Sequence, residues 1–389
     1  MRKEITNKIT DRKIVVVNQA VNYLTIGICN EFYKKFSNVD LITGNIHSQG
    51  EELNKEIAIT YINKWKEEHG IGKFLIYLKA LWKIYFLLRT KYRKHEVFFV
   101  SVPPMAYLLN LIVPNKFSMI IWDVYPDVFK ITGMSENHII YRIWAKLNNL
   151  SFKKAFRLFT IGERMADLLS IYVERKKITI QPIWSIFQNN EKRSKLENPF
   201  IREHKLEDKF VVQYSGNIGL THKVELMVKL AERMQDYPDI LFQIIGRGSR
   251  VAALKKLVAD KKLGNCQFLP FQSDDMFPYS LSAADMGVVI QDELTSKGSV
   301  PSKSYNLMSF GIPSLYIAAF DSELKNYADK YGHAKCFTER DLEKAIVFIV
   351  ELKNNKKLYK ELEVKSLNTA GFFKRDNATK FVDYYITTN

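Results

Sequence analysis

A chain of 389 residues, 47% hydrophobic and 26% charged, has the composition of an ordered globular protein and the length of two ordinary domains, which excludes a disordered polypeptide. No run of about 18 uncharged apolar residues occurs, so no membrane-spanning helix is expected, and the polar start MRKEITNKITDRK leads into IVVV, too short for a signal-peptide core; the reading is a cytosolic chain. The net charge is +16, and residues 1–185 carry 28 Lys+Arg against 16 Asp+Glu, so the first half holds most of the excess and points to an anionic partner: nucleic acid, anionic lipid or a phosphorylated substrate.

Along the first half, short runs rich in Val, Ile and Phe predict strands at Lys13–Asn18, Val39–Thr43, Glu96–Ser101, Ser118–Trp122 and Leu158–Ile161. They are apolar on both faces, as strands of a helix-covered parallel sheet are. Gly27 follows the first strand, in a loop or early helix where a phosphate would fit. Ile71–Glu96 has no acidic residue between His69 and His95, and Lys73, Lys79, Lys83, Arg89, Lys91, Arg93 and Lys94 alternate with Phe74, Leu78, Trp82, Tyr85 and Phe86. A basic aromatic helix of this kind suits the headgroup plane of an anionic membrane, with residues 71–95 as the contact. Asp123 follows a predicted strand and precedes Tyr125-Pro126, which makes it the acidic candidate of this half, facing the cleft, for orienting a hydroxyl or acting as a base. Tyr141–Phe159 is a second basic stretch.

The polar segment Gln188–Lys209 shows no sustained periodicity and reads as linker plus domain entry. Beyond it, strands are expected at Phe210–Tyr214, Ile240–Ile245, Cys266–Leu269, Met286–Ile290 and Ser314–Ile317. The alternation predicts two doubly wound α/β domains, residues 1–187 and 188–371, facing a cleft, with ligands at the carboxyl ends of the strands. Three strand-to-helix loops fit an anion there. YSGNIGLTHKVE (Tyr214–Glu225) offers Gly216 and Asn217 before a helix starting near Thr221, with His222 or Lys223 as a cation. FQIIGRGSR (Phe242–Arg250) offers Gly246, Arg247 and Gly248, the arginine for a diphosphate. In SKGSVPSKSYNLMSFGIPSLYI (Ser296–Ile317), Pro301 fits the first helical position with Ser299 as cap, which places Ser302, Lys303 and Asn306 in the first two turns. Cys29, Cys266 and Cys336 are distant and odd in number, so they read as buried apolar residues, with no disulfide framework and no metal spacing.

YSGNIG, IGRGSR, QFLPFQSDDMFPYSLSAADMGVVI and VPSKSYNLMSFGIPSL, in that order, resemble the donor domain of GT-B glycosyltransferases, specifically glycosyltransferase family 4 and its bacterial capsule and O-antigen subgroup. SVPP (Ser101–Pro104) and IWDVYPD (Ile121–Asp127) resemble it more weakly. Phe372–Tyr385 resembles the GT-B tail helix, 372–386 here, that packs back on the first domain. The resemblance implies a retaining sugar transfer from a nucleotide-diphosphate sugar, with UDP the expected base, to a lipid-linked or oligosaccharide acceptor at the inner face of the plasma membrane. The donor is a substrate; no cofactor and no metal is implied, and no Asp-x-Asp motif occurs. The family's arginine position in the first loop is Asn217, its lysine position falls at His222 or Lys223, and its paired glutamates fall at Gly298 and Asn306, so both acids are missing. Lys303, Lys223 and Arg247 are the residues expected to stabilise the leaving diphosphate, and Asp123 serves the acceptor. A GT-B-shaped sugar-nucleotide epimerase, an inactive homologue and a basic nucleic-acid-binding protein are the other readings; for the last, no RNA- or DNA-binding motif appears.

Overall fold

The computed structural model describes residues 10–64, 71–188, 192–219 and 222–387. The chain divides into two compact units, Met1–Ile186 with Arg375–Asn389, and Phe187–Lys374.

The first unit is built on a parallel sheet of seven strands: β1 (Thr10–Val17), β2 (Phe36–Thr43), β3 (Ala58–Tyr61), β4 (Glu96–Val100), β5 (Phe117–Ile121), β6 (Leu158–Thr160) and β7 (Ile178–Ile180). Their spatial order is β3-β2-β1-β4-β5-β6-β7. The order reverses between β1 and β4, the switch point at which open α/β sheets leave a crevice. Ile14–Val17, Val97–Val100 and Met119–Ile121 are buried, because helices cover both faces. These helices are α1 (Tyr23–Lys35), α2 (Ile71–Arg89), α3 (Ile139–Lys154) and α4 (Glu163–Leu169). The Asn22 side chain accepts from the Thr25 amide to start α1, and Lys34 and Lys35 sit in its last turn, where they complement the helix dipole.

The second unit repeats the plan with six parallel strands: β8 (Phe210–Asn217), β9 (Ile240–Arg247), β10 (Cys266–Leu269), β11 (Met286–Ile290), β12 (Ser314–Ile317) and β13 (Ala334–Phe337), in the order β10-β9-β8-β11-β12-β13. Its helices are α5 (Pro199–His204), α6 (Glu225–Arg233), α7 (Val251–Asp260), α8 (Phe277–Ser282), α9 (Lys303–Ser309), α10 (Glu323–Tyr331), α11 (Leu342–Asn354) and α12 (Lys356–Ala370). Val212, Tyr214, Phe242, Ile244, Met286 and Val288 meet Met227, Leu230, Phe348 and Ile349 in one apolar core. The last helix, α13 (Asn377–Thr387), belongs to the first unit, where Tyr385 meets Phe32 edge-on and Phe381 meets Phe159.

Several expectations need correction. β3, β7 and β13 were not anticipated; all three are sheet edges. The expected linker contains α5, which Asn198 caps by accepting from the Phe200 amide with Pro199 at the first turn. Residues 189–191 of it lie outside the described residues. Helix α6 starts at Glu225, after the expected Thr221, which also lies outside them. Helix α9 starts at Lys303, so Pro301 precedes it. Ser299 does not cap it: the Gln291 side-chain amide donates to the Ser299 carbonyl and hydroxyl at 2.9 Å each. Cys29 is buried, whereas Cys266 and Cys336 keep partial exposure.

Candidate functional site

In the second unit the sheet reverses between β8 and β11, and the residues at that edge come from three loops. β8 and β9 run in register to their ends, pairing Gly216 with Gly246 and Asn217 with Arg247. A Cβ on Gly246 would lie 2.0 Å from the Gly216 carbonyl oxygen, so only glycine fits. Gly248 has φ +151, a conformation open to glycine, and a Cβ there would lie 2.3 Å from the Ile218 carbonyl oxygen. The first duty of these glycines is thus to let two strand ends and their loops approach each other.

Against that edge stands Lys303, the first residue of α9. Its side chain passes 3.2 Å from the position a Gly216 Cβ would take. Its ammonium donates to the Tyr214 hydroxyl at 2.7 Å and lies 4.1 Å from the centre of that ring. The Tyr214 hydroxyl in turn donates to the Asn217 carbonyl at 2.6 Å, which fixes the lysine to the first loop. Desolvation lowers the Lys303 pKa to about 7. Part of the side chain still faces solvent, so water screens that penalty. Lys303 and Asn306 share a small recess with Gln213 and Ser215. Gly216, Gly246 and Lys303 are therefore brought together, with exposed Ser302 preceding the lysine in the chain.

Other expected cations are differently employed. His222 has its pKa lowered to about 3, by desolvation first and then by the charge of Lys303, so it is a neutral ring. Lys223 is ion-paired to Asp292 at 3.0 Å and to Glu339 at 2.8 Å, so two carboxylates already meet its charge. Arg247 is exposed and lies over the Phe271 ring at 5.0 Å. Asn217 is exposed beside Gly219. Asn306 keeps partial exposure and Gly298 is buried; neither supplies the family's carboxylate. The sequence reading missed Asp292 and Glu339, which follow β11 and β13; their signal was their place just after an apolar run.

In the first unit Gly27 falls in the early helix that the sequence allowed for it. It lies inside α1, where a Cβ would meet the Trp184 ring at 2.8 Å and the Arg375 guanidinium at 3.1 Å. Its carbonyl accepts from Arg375 at 3.2 Å. Side-chain packing against Trp184 and Arg375 leaves no room for a Cβ at this glycine. Asp123 follows β5, exposed, with no hydrogen bond or ion pair among the described residues. Protein crowding raises its pKa to about 6, a shift its solvent access softens. Ser101 lies beside it at the end of β4, where its hydroxyl accepts from the Trp122 amide at 3.4 Å. Asp127, four residues on, has a structural duty: it accepts from the Tyr141 and Tyr172 hydroxyls at 2.8 and 2.6 Å and pairs with Lys130 at 2.8 Å. This anchors the loop that stacks Tyr125 on Trp144.

Helix α2 leaves Leu75, Leu78, Trp82 and Phe86 exposed, with Trp82 and Phe86 at 65% each. They line a groove of about 580 Å³ with Lys79 and Lys83. Ala80, Ile84 and Leu88 hold the opposite face in the core. The side chains of Lys73 and Phe74 lie outside the described residues. No helix among the described residues is long and apolar enough to cross a membrane.

With the geometry in place, residues 197–365 match the family model for glycosyl transferases group 1. The second unit carries a glycosyl transferases group 1 domain. That domain spans all three candidate loops, and relatives extend the likeness. The chain is 31% identical over 144 residues to the putative colanic acid biosynthesis glycosyl transferase WcaI of Escherichia coli K12, covering 37% of this chain and 35% of that one. It is 24% identical over 238 residues to the probable glycosyltransferase WbjE of Pseudomonas aeruginosa, covering 60% and 58%. The chain thus matches about a third of the first relative's length and under two thirds of the second's. Among solved structures, Anabaena Alr3699/HepE in complex with UDP and glucose superimposes with a TM-score of 0.73 at 11% identity, covering 97% of this chain and 99% of that one. WaaG, a glycosyltransferase involved in lipopolysaccharide biosynthesis, does so with a TM-score of 0.71 at 11% identity, covering 97% and 100%. The fold is GT-B, two Rossmann-like parallel-sheet domains, as these neighbours have.

Proposed function

We propose that this chain is a glycosyltransferase of bacterial polysaccharide synthesis that moves a sugar from a nucleotide-diphosphate sugar, UDP-linked, to a saccharide acceptor carried on a lipid. The observation that carries the reading is Lys303 held against the Gly216–Gly246 strand ends at the switch point of a glycosyl transferases group 1 domain. A depressed ammonium on a tyrosine hydroxyl is an anion receptor waiting for its charge. Breaking the anomeric C–O bond leaves a nucleoside diphosphate, and stabilising that departing charge is the main demand on the protein. Lys303 serves that charge. The donor diphosphate lies at the glycine strand ends beside Lys303, where the loop backbone comes close to a ligand. In a retaining transfer the leaving phosphate accepts the acceptor proton, with Asp123 orienting the acceptor hydroxyl; the reading calls for no metal and no cofactor beyond the donor itself.

The names of WcaI and WbjE, and the UDP and glucose in the Alr3699/HepE complex, support a nucleotide sugar and a polysaccharide product. The exposed aromatic and basic face of α2 supports work at the inner face of an anionic membrane, where a lipid-linked acceptor resides. The test is a thermal-shift panel of UDP, GDP, ADP and their sugars on the parent and on Lys303→Ala. Stabilisation by UDP or a UDP-sugar that the variant loses supports the reading; equal stabilisation of both overturns the role of Lys303.

A further inference from the structure

The amino-terminal rim of the first sheet carries a recess of about 340 Å³ that the transfer reaction does not use. Asn110, Asn115, Lys116, Lys154, Phe156 and Lys177 line it. Asn115 and Lys116 precede β5, Phe156 precedes β6 and Lys177 precedes β7. Asp123 lies at the other end of β5, and five residues at about 3.3 Å each separate the two rims. The recess is thus distinct from the carboxyl-end loops.

We propose that this recess is a second ligand site, for a phosphate ester that carries hydroxyl groups. Three features of its lining ask for that chemistry. First, cations outnumber their partners. Lys116 lies 3.7 Å from Glu96, but that carboxylate is already bonded by Arg12 and by the Tyr385 hydroxyl. Lys154 donates to the Leu111 carbonyl at 3.3 Å, and among the described residues neither it nor Lys177 is ion-paired. Behind them the Arg157 guanidinium has buried Nε and Nη2 atoms without a hydrogen bond. Second, two amide oxygens lack donors. The Asn110 side-chain amide donates to the Ser151 carbonyl at 2.8 Å, and that of Asn115 to the Tyr92 and His95 carbonyls at 2.8 Å each. Those bonds fix the amide orientations and leave both Oδ1 atoms buried and unmet, on residues 1% and 8% exposed. An unmet buried acceptor is costly, and a ligand hydroxyl supplies the missing donor. Third, the Phe156 ring offers an apolar wall already flanked by Lys116 at 3.6 Å and Arg157 at 4.5 Å. Burial lowers the Lys116 pKa, and the charges of Arg12 and Arg157 lower it further while Glu96 opposes them. A bound anion relieves that crowding. The volume fits a small ester.

The same phosphate-and-hydroxyl chemistry occurs in a soluble glycerol or sugar phosphate and in a glycerophospholipid headgroup, and the test separates them. Glycerol 3-phosphate is titrated calorimetrically into the full chain, and phosphatidylglycerol vesicles are compared with phosphatidylcholine vesicles by co-sedimentation. Both are repeated on the Lys154→Glu, Lys177→Glu double variant and on the Trp82→Glu variant of α2. Lys154 and Lys177 have exposed or half-exposed side chains outside the donor site, so the double variant keeps the parent's melting temperature and its UDP shift. Binding of glycerol 3-phosphate that falls at least about tenfold in the double variant supports a soluble ligand. Binding of phosphatidylglycerol vesicles alone, lost in the double variant and kept in part by Trp82→Glu, supports a headgroup. Absence of binding to either probe, or binding unchanged by the double variant, overturns the proposal. Failure of UDP to stabilise the parent leaves this test intact, because neither probe reports on the donor site.

Discussion

Lys303 sits on Tyr214 with its charged form disfavoured, and a bound diphosphate is expected to reverse that preference. The sign follows from linkage: the free lysine loses its proton near pH 7, the bound one keeps it, so binding above pH 7 takes up a proton. UDP affinity is therefore expected to fall as pH rises from 7 to 9, by at most about tenfold per pH unit. The slope is expected to vanish in Lys303→Ala, as calorimetry in buffers of different ionisation enthalpy reads directly. Without ligand the same depressed lysine costs stability below pH 7, a cost that fades as pH rises from 7 towards its ordinary 10.5. Asp123 makes the second residue-scale case. Asp123→Asn is expected to leave the melting temperature unchanged and to lower turnover by about 10²-fold, read by release of UDP in the presence of acceptor. The places of Lys303, at a helix start, and of Asp123, after a strand, were legible in the sequence because each follows a recognisable turn or strand. The neutral state of His222 and the double pairing of Lys223 were not, because the first depends on burial and on Lys303 and the second on Asp292 and Glu339, all of them 69 or more residues away in sequence.

At the scale of elements, the paired ends of β8 and β9 decide whether the donor edge forms. Gly246→Ala drives a methyl group into the Gly216 carbonyl. It is expected to cost about 1–3 kcal/mol in urea unfolding and to abolish the UDP shift, whereas Gly264→Ala, which meets nothing within 4 Å, does neither. The central strands announced themselves by apolar runs on both faces, as Ile14–Val17 and Met286–Ile290 do. The strands that escaped notice, β3, β7 and β13, pair on one side only and keep partial exposure, as the pattern of Ala58–Tyr61 shows. An edge strand needs less apolar sequence, so its signal merges with that of a loop. Helix α5 was hidden for a related reason: six residues are too few for periodicity to show, and only the Asn198-Pro199 pair marked its start.

For the whole molecule, the chain enters the second unit after Ile186 and returns at Arg375, and that arginine ties the start of the return to the first unit. The Arg375 guanidinium bonds both Glu51 oxygens, Glu31 and the Gly27 carbonyl, and lies over Trp184. Arg375→Ala leaves buried Glu31 and half-buried Glu51 without this partner, and is expected to cost about 3 kcal/mol of stability of the first unit. Hydrogen exchange in α13 and α1 checks it. The charge asymmetry of the two halves also acts at this scale. Co-sedimentation with anionic vesicles is expected for the parent and is expected to weaken by about tenfold or more in Trp82→Glu with Phe86→Glu, since both exposed rings leave the apolar stripe of α2.

The most direct measurement of the central claim is transfer itself. Radiolabelled UDP-sugars are incubated with the purified chain and a membrane extract that supplies lipid-linked saccharide, with Lys303→Ala beside it. The expected result is label carried into the lipid fraction from one UDP-sugar, reduced by about 10²-fold or more in the variant. Label that stays wholly in the aqueous donor pool with every nucleotide sugar, or transfer that Lys303→Ala performs as fast as the parent, contradicts the account.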